Sequence, residues 1–400
     1  MNFEKNCDVL VAGAGVAGVT AAVEAARAGL KTILVEKTIF SGGLATAGIV
    51  YIYLPLCDGV GRQVTFGLAE ELLHLSHRYG PGEIPEDWRL STKEKSEGRY
   101  QVEFSPASFA LALDEVLTEA GVDVWYDTLV CATRVERGRV TGVEVENKSG
   151  RGLLRAACVV DATGDGDVAH RAGCRFDEEG NKTTLWAVQS SLDAARKAVE
   201  KGDGTLLFNA HHLGDEGEAI TAEGKKQTHP WRGTDGRSVS RFVLEGRRCL
   251  REHYRKAMEE GRRRQDFYPI LLPSMPQFRT TRAIKGRSTL RSGMSGKRFE
   301  DSIGLAADWR QADSVWEVPY GTMIPDVSGL VTAGRCISSV EDAWEVTRVI
   351  PAAALTGQVA GIAATLAVRG KTTPDRLDIK DIQNALSRKK MPFHLDQVGR

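Results

Sequence analysis

Cys7-Asp8-Val9-Leu10-Val11-Ala12-Gly13-Ala14-Gly15-Val16-Ala17-Gly18 is the stretch on which the fold of this chain turns. Residues 7–12 form a short, valine-rich apolar run, the composition of a strand buried on both faces. A glycine loop follows at once, and the alanine-rich stretch from Val16 to Ala28 predicts a helix that Gly29 stops at its C′ position. Lys31 to Val35 read as a second strand, with Glu36 and Lys37 at its end. Strand, glycine loop, helix, strand and terminal acid within about 30 residues give a bare glycine pattern its meaning. Gly13 permits the tight turn, Gly15 lets the backbone approach a pyrophosphate, and Gly18 lets helix and strand pack closely. The helix N-terminus, at Val16 and Ala17, offers free N–H groups and a partial positive charge to the same diphosphate. Glu36 is suited to accept ribose hydroxyls and to repel a 2′-phosphate. A dinucleotide site is expected, with NAD and FAD both open at this point.

Composition sets the outer limits. A chain of 400 residues exceeds the usual reach of one hydrophobic core, so one large composite domain or two domains are expected. Apolar residues make up 42% and charged residues 26%, the balance of a globular protein. Lys plus Arg equals Asp plus Glu at 53 each, so no overall field favours nucleic acid or an acidic membrane surface. The basic run from Arg247-Arg248 to Arg262-Arg263-Arg264 is interrupted by acids and reads as a solvated helix face. Seven cysteines include no CxxC pair, which leaves no zinc site, iron–sulfur ligand set or disulfide framework, and no metal is expected. The polar N-terminus leads straight into a strand and does not fit a signal peptide. No run of about 18 uninterrupted apolar residues exists to span a membrane. Residues 349–368 come nearest, but Thr356, Gln358 and Thr365 suit a buried helix better. A reducing, cytoplasmic setting is the expectation.

Three later segments bear on the cofactor. Ser41-Gly42-Gly43-Leu44-Ala45-Thr46-Ala47-Gly48 is dense in small residues, which lets backbone lie against a flat ligand. Cys158 to Asp161 form an apolar strand that breaks into the turn Ala162-Thr163-Gly164-Asp165-Gly166-Asp167. Those aspartates lack the glutamate of an EF-hand calcium loop. Just upstream, residues 122–126, 129–135 and 139–145 alternate like strands of a small antiparallel layer, with Gly138 in a turn. Leu330 to Thr332 lead into Ala333-Gly334-Arg335-Cys336-Ile337-Ser338-Ser339, a second strand-to-turn passage. Downstream, Arg348-Val349-Ile350-Pro351 opens a helix over residues 352–369, with proline in its favoured first turn. Its small residues, Ala353 to Ala364 with Gly357 and Gly361, predict close packing against a sheet, and its N-terminus carries a positive dipole.

With these segments in view, the sequence resembles the FAD-dependent oxidoreductases of the broad glutathione-reductase-like superfamily. It is most similar to a bacterial branch that keeps GGxxT, ATGD-type and AGRCIS stretches in these places. The resemblance covers residues 7–50, 104–175 and about 316–370. It implies an α/β fold, a Rossmann-like FAD-binding domain with a parallel sheet interleaved with an α+β substrate-binding domain. The expected division is 1–175 for the first FAD-binding part, with an excursion at 51–103 acting as a lid or interface. Residues 176–315 would cover substrate, 316–370 return to the cofactor, and 371–400 form a helical tail. By resemblance, Gly42, Gly43 and Thr46 run from the pyrophosphate toward the isoalloxazine, and Val130 lies against the adenine. Ala162, Thr163 and Gly164 bring the later strand back to the cofactor. Gly334 and Arg335 form a further turn at the cofactor, and the helix opened by Pro351, Ala352 and Ala353 meets the N1/C2 edge, where its dipole steadies the charge gained on reduction. An NAD enzyme has no need of this return, so non-covalent FAD is expected.

The resemblance also nominates catalytic side chains. Arg279 and Arg282 recur as a pair in the branch and are suited to grip an anionic or carbonyl group. Arg348 would support the reduced ring or clamp substrate, and Tyr320 would donate a proton. His211 and His212 sit in a loop with no surrounding pattern and read as solvated, and Cys336 lacks a partner for a disulfide relay. The chain departs from the branch at residues 340–347, where members carry a histidine and small residues and this one has Val-Glu-Asp-Ala-Trp-Glu-Val-Thr. The expected reaction is hydride transfer from a small organic substrate to flavin N5, by a dehydrogenase or oxidase, with electrons passed to an acceptor the sequence does not name. The alternatives are a flavin-dependent hydratase or isomerase without net redox change, and a non-catalytic flavin-binding partner in a complex. A homo-oligomer through residues 51–103 is also expected.

Overall fold

The computed structural model describes residues 1–89, 99–180, 185–207, 209–213 and 231–399. In chain order the first unit is β1 (Phe3–Ala12), α1 (Val16–Arg27) and β2 (Thr32–Val35), with β1 and β2 parallel. β1 starts earlier than its apolar run because Phe3 to Asn6 pair through their backbones with residues 152–155. An excursion holds β3 (Ile52–Tyr53), α2 (Leu68–Leu75) and β4 (Val102–Glu103). Next come α3 (Pro106–Glu119), β5 (Asp123–Trp125), β6 (Leu129–Glu136), β7 (Arg139–Asn147), β8 (Gly150–Asp161) and α4 (Asp167–Arg171). Ser105 caps α3 through its side chain, with Pro106 in the first turn.

One seven-stranded sheet positions the site, in the order β5-β2-β1-β8-β7-β6. Long β8 serves two partners along one edge. Its first half pairs antiparallel with β7, and its last residues, Val159 to Asp161, pair parallel with β16 (Leu330–Thr332). The antiparallel layer expected over 122–145 is therefore corrected. β6 and β7 do form a hairpin, but β5 lies parallel to β2 at the far edge of the sheet. An alternating pattern of three residues cannot tell a parallel edge strand from a meander strand. The fold is α/β with a Rossmann-like, parallel-rich core.

The intervening region, in chain order, contains β9 (Phe176–Glu178), β10 (Leu185–Ser191), α5 (Leu192–Lys201), β11 (Asn209–Leu213) and α6 (Gly236–Glu259). It continues with β12 (Phe267–Leu271), β13 (Arg282–Ile284), β14 (Ser302–Ala307) and β15 (Val315–Pro319). β11-β10-β12 form a separate antiparallel sheet backed by α6, whose Arg247, Arg251 and Arg255 are exposed as the basic run predicts. After β16 come α7 (Glu341–Thr347), α8 (Ile350–Arg369) and α9 (Ile379–Arg388).

α8 is long and apolar enough to cross a membrane by length and composition, yet 89% of its apolar window is buried inside the molecule. Its small residues serve a helix rather than a sheet. A Cβ on Gly357 would stand 2.1 Å from the Ala17 carbonyl oxygen, and one on Gly361 2.6 Å from that of Ala21. The helix thus presses on α1 as closely as backbone allows. The 51–103 excursion is built into the same core: Tyr51, Tyr53, Leu56 and Leu72 are buried, and Gln358 of α8 accepts the Leu68 N–H at 2.8 Å. These residues of the excursion are core, while Tyr79 and residues 81–83 and 85–87 are exposed. Residues 90–98 of it lie outside the described residues.

Candidate cofactor cleft

The C-terminal ends of β1, β8 and β16 open onto one cleft of about 740 Å³, counting its mouth. Ligands in open α/β sheets sit at this end, where loops diverge and helix N-termini point inward. Each loop is shaped by its neighbours. Gly13 takes φ +92°, and a Cβ there would meet the Ala162 carbonyl oxygen at 2.6 Å. On Gly18 a Cβ would lie 1.8 Å from the Gly13 carbonyl oxygen. Gly15 differs: the nearest atom to a Cβ there would be the Ala162 carbonyl oxygen at 4.0 Å, an ordinary contact that nothing forbids. The first and last glycines are required by the protein's own backbone, whereas the middle one leaves room for something else. That cradle, which a single Cβ would begin to fill, fits a pyrophosphate laid on the helix N-terminus.

The second loop docks on the first. The Gly42 N–H donates to the Ala14 carbonyl at 2.7 Å, and Gly15 and Gly42 bridge in parallel. Thr46 is buried, with its hydroxyl bonded to the Ser41 carbonyl, so it staples the turn from behind and does not line the cleft. Glu36 is buried with both oxygens engaged. One accepts the Ala14 N–H and the other the Thr38 N–H, each at 2.8 Å. The carboxylate is thus fixed in direction at the cleft edge beside exposed Lys37.

The third wall is organised by Asp161. It is fully buried, accepts the Thr163 N–H and hydroxyl at 3.1 and 2.7 Å, and accepts the Ala169 N–H at 2.9 Å. Burial raises its pKa against those hydrogen bonds. Asp165 and Asp167 hold cations of the protein itself. Arg335 reaches the Gly164 carbonyl at 2.9 Å and Asp165 at 2.5 Å, and also bonds the Phe278 carbonyl. Burial pushes the Asp165 carboxyl upward, but Arg335, the Thr281 hydroxyl and Lys37 outweigh it and hold it below its ordinary value.

Fourteen of the nineteen cofactor residues read from sequence line this cleft: Gly13, Gly15, Val16, Ala17, Glu36, Lys37, Gly42, Gly43, Ala162, Thr163, Gly164, Gly334, Arg335 and Ala353. Gly18, Thr46, Pro351 and Ala352 are buried beside lining residues in the chain and are not part of the lining. Val130 lies in β6 opposite Val145 of β7 and packs into the core, outside the lining. The cleft also takes Leu44, Ala45, Ala333 and Ile350, next to residues already singled out, and Met275, which no sequence pattern marked. Met275 arrives because the Ser274 N–H bonds the Ala47 carbonyl at 2.9 Å and Gln277 bonds the Gly48 carbonyl at 2.6 Å.

The catalytic nominations divide sharply. Arg348 lines the cleft just ahead of α8, its Nε donating to Glu345 at 3.1 Å. Arg282 is buried and committed to Asp167 at 2.8 Å and the Asp165 carbonyl at 3.0 Å, so it fastens the third wall. Arg279 is buried with its guanidinium 4.8 Å above the Trp186 ring, outside the lining. Tyr320 is buried, donates to the Pro374 carbonyl at 3.0 Å, and is pushed far up in pKa by burial, all apart from the cleft. His211 lies in β11, not a loop, and stacks on His253 at 3.8 Å between ring centroids. Cys336 is fully buried and raised well above the ordinary thiol range by burial. The departure at 340–347 forms α7. Buried Trp344 donates to the Arg335 carbonyl at 2.7 Å, and Trp309 donates to the Glu345 carbonyl at 3.0 Å. This helix therefore holds the positions of Arg335 and Arg348.

Comparison with known proteins agrees with this geometry. A family model described as FAD dependent oxidoreductase matches residues 8–386. The chain is 32% identical to the digeranylgeranylglycerophospholipid reductase of Picrophilus torridus over 40% of this chain and 40% of that protein. It is 29% identical to the probable electron transfer flavoprotein-quinone oxidoreductase YgcN of Escherichia coli, over 56% of this chain and 49% of that one. The matches thus span less than half the length of these curated relatives. Among solved structures, p-nitrophenol 4-monooxygenase PnpA from Pseudomonas putida superposes with a TM-score of 0.53 at 14% identity, covering 96% of this chain and 85% of that one, a likeness of fold.

Proposed function

The chain belongs to the FAD dependent oxidoreductase family, and from that premise we propose that it is a redox enzyme whose cleft would hold non-covalent FAD. We place it within the glutathione-reductase-like superfamily and propose the domain division 1–175, 176–315, 316–370 and 371–400. The observation that carries the reading is the open Cβ position of Gly15 in a cleft walled by three separate strand ends. The amides of the α1 N-terminus hold the pyrophosphate, and Glu36, already aimed by two backbone N–H groups, accepts the ribose hydroxyls. Gly42 and Gly43 present bare backbone along the cofactor's length.

FAD, when bound, supplies a hydride acceptor. The chain's own contribution is to place a small organic substrate beside it and to stabilise developing negative charge. The α8 N-terminus, with Ile350 and Ala353 on the cleft wall, directs its positive end there, and Arg348 adds a full charge that Glu345 keeps in place. Arg348 is the residue we propose for contact with the reduced ring or an anionic substrate. Arg279, Arg282 and Tyr320 act as structural supports. Similarity to YgcN supports an electron carrier or quinone as the acceptor, and a cytoplasmic setting fits the free thiols.

The visible spectrum of the purified protein tests the cofactor. It should show flavin bands released by heat, and a colourless protein that takes up no added FAD would sink the reading. Anaerobic mixing with alcohols, amines, 2-hydroxy acids and unsaturated lipids then tests the reaction, since a redox enzyme is bleached by its substrate and a silent flavin carrier is not.

A further inference from the structure

Of the side chains that line the cleft, Met275 alone comes from residues 176–315. It belongs to a short segment between β12 and β13 whose two ends are fastened to different walls. At one end Ser274 gives its N–H to the Ala47 carbonyl at 2.9 Å and its hydroxyl to the same oxygen at 3.3 Å. Fully buried Gln277 adds to this end, donating to the Gly48 carbonyl at 2.6 Å and accepting the Trp186 N–H at 2.8 Å. At the other end Arg335 bonds the Phe278 carbonyl, and the Thr281 hydroxyl donates to Asp165 at 2.6 Å. Residues 274–281 thus run as a strap from the Gly42–Gly48 loop to the turn after β8, and Met275 meets the cleft on the way.

The strap is stiff where Met275 leaves it. Pro273 and Pro276 stand on either side, proline fixes its own φ, and a residue ahead of a proline is driven out of the α region into extended backbone. The side chain is the opposite: three rotatable bonds and a polarisable thioether let it mould itself to an apolar neighbour. Its place along the cleft follows from its anchor. The 42–48 loop bridges to Gly15 at Gly42 and holds the strap at Ala47 and Gly48, so Met275 stands away from the pyrophosphate end.

We propose that Met275 is the specificity-determining side chain of the cleft. It bounds the space left for the apolar group beside the substrate's reacting carbon, while Arg348 takes an anionic group of the same molecule. The substrate class is then an organic anion with a short apolar chain. This rests on the cleft being the FAD site, and it adds the residue that limits substrate size.

The test uses FAD-loaded protein and straight-chain carboxylates from acetate to octanoate as probes, with binding read from perturbation of the flavin absorbance spectrum. Affinity should rise about two- to fourfold per added methylene and fall sharply once the chain reaches Met275. Met275→Ala should move that fall to chains longer by about three methylenes, and Met275→Phe to shorter ones. Met275→Leu, close to methionine in volume, should keep the wild-type profile. FAD content and melting temperature should match wild type in all three. An unshifted fall in Met275→Ala, affinity that climbs through octanoate without a limit, or no spectral response to any carboxylate would overturn the inference. So would loss of FAD from Met275→Ala, which would make the side chain part of the cofactor's seat. The two readings fail separately. Protein that takes up no added FAD removes the cofactor assignment before any carboxylate is added, whereas a fully loaded flavin with an unshifted profile removes Met275 alone.

Discussion

Three glycines in one loop do three different jobs, and only one of them concerns a ligand. Gly13 and Gly18 are compelled by neighbouring backbone, while a Cβ on Gly15 would meet only an ordinary contact at 4.0 Å. Gly15→Ser should therefore fold normally, since serine is a good residue at a helix N-cap, yet lower FAD affinity at least tenfold in fluorescence titration. Gly18→Ala should instead yield little folded protein. Arg348 offers the complementary case. Arg348→Met should leave FAD bound and reduce turnover by about 10- to 100-fold, a loss of about 1.4–2.7 kcal/mol of charge stabilisation, read as substrate-dependent bleaching rate. Unchanged rates would remove Arg348 from the site. At this scale the sequence was most legible where backbone chemistry ruled, as in the glycine turns and Glu36. It did not reveal the partners of Arg282 and Tyr320, because an arginine or tyrosine reads the same whether it meets substrate, Asp167 or the Pro374 carbonyl.

Elements were legible in proportion to their length. The first strand–helix–strand unit and α8 fell within a few residues of their expected bounds, since apolar pattern, proline and terminal glycine all agreed. β5 was misplaced because three residues carry no record of which neighbour they pair with. The small residues of α8 were noticed, but their partner was not, since a smooth helix face fits a sheet or a helix equally well. α1 is that partner, and it sets a sharp expectation. Gly357→Val would drive side-chain atoms into the Ala17 carbonyl and Thr20 hydroxyl, each 2.1 Å from the new Cβ. Overpacking of this kind costs about 1–3 kcal/mol. Thermal denaturation should show the loss, and FAD affinity should fall with it, because α1 and α8 both turn their N-termini to the cleft.

At the scale of the whole molecule, one cluster of charge joins three distant segments. Arg335, Asp165, Thr281, Arg282 and Asp167 join the turn after β16, the turn after β8 and the approach to β13. Nothing in the spacing of residues 161–167 and 335 announces this meeting, which exists only once the sheet has formed. The Asp165 carboxyl is held below its ordinary value, so it binds a proton less readily folded than unfolded. Its contribution is fully present above the unfolded carboxylate value near pH ~4 and is lost as pH falls through the lower folded value. Asp165→Asn should cost roughly 3 kcal/mol at neutral pH by leaving Arg335 without its counter-charge. It should also flatten the acid limb of a stability–pH curve measured by urea unfolding, and an acid limb as steep as wild type would refute the assignment.

The cleft's walls come from residues 13–45, 162–164, 275 and 333–353, and this has a consequence for biosynthesis. A ribosome making this chain releases both phosphate-facing loops long before the last wall exists. Until Ala353 has left the exit tunnel and α8 has reached α1, the nascent protein has a nucleotide loop but no enclosed pocket. Cofactor capture is thus a late event in synthesis, and stalled or truncated products that stop short of β16 should accumulate colourless.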